Sequence, residues 1–311
     1  AEEGPLTHEA LWRIIFQRPS EEGQKGLHVS EMEETTENAK RSLGALLFSD
    51  PRLSGNRQRA CSSCHRKELS FTDGLPTALD LKGQPLRRNT PHLWNLAGAP
   101  AFFWDGREKS LQSQARVPLH SPQELAVNMS QTLEDFRQDP SIVDAFSRAF
   151  PETNLITEDM IVEALVSYEK SLLSPQTRFD AWIEGSEEAL TEEEKKGFKI
   201  FVGKAGCVSC HGGWRFTDDQ FHDIGLKSSD LGRGALSEGN HRTPSFKTPG
   251  LRQVARTAPY MHDGSLVSLE KVVLHYTTER TLRPSLSPNM VRDLELTEEE
   301  KTALVSFLRT L

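Results

Sequence analysis

The chain has 311 residues, enough for two domains that each bury a core, and a formal net charge of -8. That charge, with no basic stripe carrying interleaved aromatics, excludes nucleic acid as a partner. No apolar run approaches the roughly 18 residues that span a bilayer, and the mean hydropathy is -0.53, so a soluble protein without a membrane span is expected.

In chain order, AEEGPLTHEA lacks a charged start and an apolar core, and its small first residue suits a mature chain whose export signal has been removed. LGALLFSD (Leu43 to Asp50) is helical in pattern and precedes CSSCH (Cys61, Cys64, His65), which SFTD (Ser70 to Asp73) follows. Gly74 to Arg88 is rich in Gly, Pro and charge and reads as a loop. Ile156 to Ser174 reads as a long amphipathic helix, and Pro175 to Gly185 as a connection that places the domain boundary near Pro175. The second half opens on LTEEEKKGFKIF, where Thr191 and Glu194 form a capping box; Thr297 and Glu300 repeat the device before the last helix. KGFKIFVG (Lys196 to Gly203) shares a Gly-x-x-x-Phe with LGALLFSD; it precedes CVSCH (Cys207, Cys210, His211), and RFTD (Arg215 to Asp218) comes next. Lys227 to Thr248 is again loop-like, and few runs alternate with period two. The expected fold is all-α: two cytochrome-c-like domains, residues 1–175 and 176–311, with long loops.

A Cys-x-x-Cys-His run lets two thiols add to the vinyl groups of a haem while the adjacent histidine reaches the iron. A disulfide or half of a zinc site is the alternative, but zinc ribbons keep their two pairs about 15 to 20 residues apart, and neither needs a histidine per pair. Two covalently attached c-type haems are therefore expected. Such attachment takes place outside the cytoplasm, so the expected compartment is periplasmic.

In SLEKVVLHYTTERT (Ser268 to Thr281), Leu269, Val272, Val273 and Tyr276 fall on one helical face. His275 is turned about 100° from Tyr276. If one of the two faces a haem, the other does not.

With these motifs, RRNTPHLWN (Arg87 to Asn95), FFWDGR (Phe102 to Arg107), LQSQARVPLHSPQEL (Leu111 to Leu125) and TPGLRQVARTAPYMHDGSL (Thr248 to Leu266) resemble the bacterial dihaem cytochrome c peroxidases and, among them, the MauG branch. The resemblance runs from about Lys40 to the last helix. It implies a calcium ion held by Asn89 and the carbonyls of Thr257 and Pro259, all hard oxygen donors. It also implies that Trp104 passes electrons or holes between the haems, a role weighed against that of a core aromatic. Gln114 and Glu124 match the polar pair that moves protons in peroxide cleavage at the N-terminal haem. The loop from Lys67 to Pro91 carries no histidine to block that haem, and His92 beyond it reads as structural. A high-spin, five-coordinate N-terminal haem that needs no reductive activation is implied.

The C-terminal haem is then low-spin, closed by Tyr276 where peroxidases use methionine; His275, Met261 and Met290 stay open as alternatives. The implied activity is a dihaem oxidoreductase that uses hydrogen peroxide to oxidise residues, tryptophan foremost, of a periplasmic partner protein through a bis-Fe(IV) state. The alternatives are a cytochrome c peroxidase drawing electrons from a small cytochrome or cupredoxin, and a non-enzymatic dihaem electron carrier. One departure stands: where the MauG pattern has its exit tryptophan, this chain has Lys204 to Gly206, with Trp214 the nearest substitute. Neither the partner nor the oligomeric state follows from the sequence.

Overall fold

A computed structural model describes residues 8–20, 31–236 and 243–311. The reading of residues 1–7 as a processed terminus lies outside these, as does the stretch 237–242 of the second loop. The chain divides into two compact units, Gly26–Leu173 and Ala1–Lys25 with Ser174–Leu311. Helix α1 (His8–Phe16) therefore corrects the sequence division, which counted it with the first half. Its Phe16 is fully buried and stacks on Phe216 at 4.7 Å between ring centroids, while Arg13 donates to the Trp182 carbonyl and pairs with Glu187 at 2.7 Å. Aromatic burial and an ion pair join α1 to a distant stretch of chain, which no local pattern announces.

The first unit holds α2 (Glu31–Phe48), α3 (Leu111–His120), α4 (Met129–Arg137), α5 (Pro140–Ala149) and α6 (Glu158–Lys170). The N-caps Ser110, Asn128, Asp139 and Thr157 accept the free amides at the starts of α3 to α6. The core forms where α2 crosses α6. A Cβ at Gly44 would stand 1.9 Å from the Ala164 carbonyl oxygen, so only glycine lets the backbones meet there. One turn on, Phe48 meets Tyr168 edge-on at 5.1 Å.

The second unit repeats this device. It holds α7 (Arg178–Ile183), α8 (Glu192–Val202), α9 (Leu269–Leu274) and α10 (Glu298–Leu308), with a two-residue antiparallel pair, Phe221–His222 against Phe246–Lys247. Both expected capping boxes are present, at Thr191 with Glu194 and Thr297 with Glu300. Where α8 crosses α10, a Cβ at Gly197 would lie 2.0 Å from the Ala303 carbonyl oxygen, and Phe201 meets Phe307 at 5.2 Å. The Gly-x-x-x-Phe seen twice in the sequence is thus a helix-crossing motif.

Asp180 of α7 is 3% exposed and binds the Arg252 guanidinium, 1% exposed, at 2.6 Å while also capping its own helix. Removing the acid strands a buried cation, so Asp180→Ala is expected to cost about 3–5 kcal/mol in a urea melt.

Candidate functional site

Around Cys61, a single helical turn, Cys61–Cys64, is fixed by Ser63 Oγ accepting the Ala60 amide at 3.0 Å. The His65 amide donates to the Cys61 carbonyl at 2.9 Å. Phe71 sits in the left-handed region at φ 61°, which returns its carbonyl to His65 Nδ1 at 2.8 Å. With Nδ1–H donated, Nε2 carries the lone pair that an iron would take. Burial pushes the imidazole below its ordinary value, against the opposing Phe71 hydrogen bond, so it stays neutral. Burial also pushes the Cys61 thiol up to about 12.

The second centre has the same parts. His211 donates its amide to the Cys207 carbonyl at 2.8 Å, and its Nδ1 meets the carbonyl of left-handed Phe216 (φ 56°) at 2.8 Å. Burial lowers the His211 value and raises Cys207 to about 12 and Cys210 to about 11. Paired thiols on one turn beside a neutral, oriented imidazole suit thioether-bound haem; the Sγ atoms stand in for thioether sulfurs. Asp218, whose carboxylate accepts from His222 at 2.7 Å, borders Cys210, with ligand-type atoms of the three residues within 4.8 Å of one another.

Beyond these motifs the two units share a register that the sequence reading missed. Asn95 and Gln253 are both left-handed, and their amides donate to the carbonyls of Leu172 and Leu311 at 2.9 and 3.1 Å. The Phe102 amide reaches the Glu108 carbonyl as the Tyr260 amide reaches that of Leu266, and Phe103 and Met261 are both left-handed within these loops. Next come α3 and α9, capped by Ser110 and Ser268. Counting from the caps pairs Gln114 with Val272 and Pro118 with Tyr276; counting along the loops pairs Trp104 with His262. A signal was available: TPHLWN against TPGLRQ and FFWDGR against YMHDGS.

Tyr276 is half-buried in a π-helical turn, His275–Glu279, that continues α9. Burial drives its phenol far above the ordinary value, and the Cys207 and Cys210 thiols push it further, so the ring belongs to the second centre. His275 is 3% exposed, because the segment around Ile224 covers that side and its carbonyl meets His275 Nε2 at 2.9 Å. Met261 lies in the loop before α9 and Met290 in the loop after the π turn. Pro118, in the register of Tyr276, offers iron no donor atom.

Glu124 is half-buried, and burial raises its carboxyl above the usual range against the lowering effects of Ser121 and the Arg107 guanidinium. Its charge is felt at Cys64, which brings it to the first centre. Gln114 lies one turn before Pro118 on the same face of α3. Trp104 donates its indole N–H to the Asn89 backbone carbonyl at 2.9 Å, joining two of the expected site residues, while the Asn89 side chain donates through Nδ2 to the Leu75 and Pro76 carbonyls. Thr257 donates its hydroxyl to the Val254 carbonyl at 3.1 Å, and Pro259 follows in the same loop. His92 Nδ1 accepts the Trp94 amide at 3.1 Å within a turn, a structural bond.

Residues 38–188 match the family model for di-haem cytochrome c peroxidase, and residues 194–311 match that for cytochrome c. The chain is 44% identical to the methylamine utilization protein MauG of Methylorubrum extorquens, over 87% of this chain and 77% of that protein. It is 33% identical to the cytochrome c551 peroxidase of Nitrosomonas europaea, over 89% and 81%. A crystal structure of a MauG-like protein associated with microbial copper homeostasis superposes with a TM-score of 0.81 at 30% identity, covering 91% of this chain and 90% of that one. Two cytochrome-c-like units, each with a thiol pair and an oriented histidine, agree with that likeness: the chain belongs to the MauG and di-haem cytochrome c peroxidase family, enzymes carrying two c-type haems.

Proposed function

We propose that this chain is a MauG-type oxidoreductase that uses hydrogen peroxide to oxidise residues, tryptophan foremost, of a partner protein outside the cytoplasm. The observation that carries the reading is the asymmetry in the shared register: Pro118 at the first centre against Tyr276 at the second. In this reading Cys61 and Cys64, and Cys207 and Cys210, hold the haems, and His65 and His211 present Nε2 to the irons. The bound haem pair supplies peroxide cleavage and storage of two oxidising equivalents. Tyr276 would offer the second haem a hard anionic oxygen, a donor that favours higher oxidation states where methionine would oppose them.

With haem held at the first centre, Glu124 and Gln114 would be the residues that handle the protons of bound peroxide. A carboxyl raised by burial keeps its proton closer to neutral pH, which suits moving one proton from the near to the far oxygen. Trp104 serves as the oxidisable ring that passes holes onward; this role, and the calcium-ligand roles assigned to Asn89, Thr257 and Pro259, rest on the family resemblance. The relatives are named for methylamine utilization and for microbial copper homeostasis, the two settings in which the partner is sought first.

The likeness to the Nitrosomonas europaea peroxidase supports a second reading, peroxide disposal with electrons from a small redox protein. Stoichiometric peroxide added to the fully oxidised holoprotein separates the two. A rapid optical change without prior reduction is expected; a reaction only after reduction of one haem would favour the peroxidase. Glu124→Gln is expected to slow that reaction by about 10²–10⁴-fold without loss of covalent haem.

A further inference from the structure

Glu169, in the last turn of α6, is 7% exposed, and its Oε2 has no hydrogen-bond partner among the described residues. In the shared register, set by Tyr168 with Phe307 and by Leu172 with Leu311, its counterpart in the second unit is Leu308, also 7% exposed. The fold fills this position with a hydrocarbon in one copy and a carboxyl in the other. Packing alone favours the leucine, since an unpartnered buried acid is costly. The carboxyl lies near enough to the first centre for its charge to act on Cys61.

We propose that Glu169 is the charge-compensating acid of the first haem centre, ionised when that centre is ferric and protonated when it is ferrous. The proposal rests on the reading that Cys61, Cys64 and His65 hold a haem. In balance, one electron enters the centre from a small redox protein, or from a mediated electrode in the test, and one proton enters the Glu169 carboxylate from water; on oxidation both leave.

Burial alone lifts the carboxyl to about 8 in the haem-free chain, so a modest gain of positive charge nearby is enough to release its proton. Few groups compete for the effect. Tyr168 on the same helix and Cys61 on the haem-binding turn sense the Glu169 charge. On the rest of α6, Glu163 is paired with Lys40, and Ser167 donates to Glu37 of α2. Glu124 and Asp73 act on the opposite cysteine, Cys64. No acid stands at the Leu308 position of the second centre, so the coupling is confined to the first.

The test is spectroelectrochemical titration of the holoprotein from about pH 6 to pH 9, with haem on both cysteine pairs checked by peptide mass. The first haem's potential is expected to fall with rising pH by one proton per electron while the second stays flat. Glu169→Gln should abolish the slope with haem content unchanged. It should also remove a protonated-carboxyl band from the redox-induced infrared difference spectrum. Glu169→Leu, which copies Leu308, should do the same and guards against an effect particular to the amide. A flat wild-type potential, or a slope that survives in Glu169→Gln and vanishes in Glu124→Gln, overturns the proposal. Peptides around Cys61 and Cys64 without haem would overturn the site assignment itself, an outcome distinct from attached haem with a flat potential.

Discussion

Replacing Tyr276 by phenylalanine is expected, on the proposed ligation, to turn the second haem from low-spin to high-spin while leaving both haems covalently attached. The substitution removes one oxygen and keeps the ring, so its contacts with the second unit's core survive. Burial and the neighbouring sulfurs hold the free phenol protonated, far above its ordinary value. A ferric haem held by Cys207, Cys210 and His211 would supply the positive charge that favours the phenolate, and Tyr276→Phe removes the oxygen that would serve as its ligand. Electron paramagnetic resonance of the oxidised protein reads the outcome directly, as a second high-spin signal in place of the low-spin one. A low-spin signal unchanged in Tyr276→Phe would show that another residue is the ligand. The companion variant His275→Ala is expected to keep the low-spin signal, because His275 Nε2 is engaged by the Ile224 carbonyl. It should cost about 1–3 kcal/mol of stability, as a buried acceptor loses its donor.

Gly197→Ala is expected to be among the most damaging single-methyl changes in the chain. A Cβ there would stand 2.0 Å from the Ala303 carbonyl oxygen and 2.6 Å from Phe307 Cβ, so α8 and α10 must separate. Overpacking of this kind costs about 1–3 kcal/mol or more, and here the obstacle is backbone. Better helix propensity returns about 1 kcal/mol at most. Chemical denaturation should give a net loss, with Gly44→Ala behaving alike against Ala164. Gly98→Ala is the control, since a Cβ there meets nothing within 4 Å; equal stability of Gly197→Ala and Gly98→Ala would contradict the crossing.

Much of this architecture can be read from residue patterns, and the limits have physical causes. The two Cys-x-x-Cys-His motifs and both capping boxes are local, so spacing alone reveals them. Gly44 and Gly197 are visible as a repeat, yet their meaning depends on Ala164 and Ala303, each far along the chain, which periodicity does not reach. The buried position of His275 escaped for the same reason: its hydrogen-bond partner, Ile224, comes from a loop well before α9. The apolar face of α9 was legible, but the second covering that buries its other side was not. Helix α1 was misassigned because Phe16 finds Phe179, Phe198 and Phe216 only in three dimensions. Glu169 passed as one more polar position in an amphipathic helix, and only comparison with Leu308 singles it out.

The crossing helices also impose an order on assembly. In each unit the haem-binding turn precedes the helix that completes the core: Cys61 and Cys64 come well before α6, and Cys207 and Cys210 well before α10. Contacts between segments so distant in the chain form late, because the intervening loop must be closed before they contribute. On this ordering, thioether attachment is expected to precede docking of α6 or α10, with the glycine crossing forming only after each thiol turn is complete in the chain.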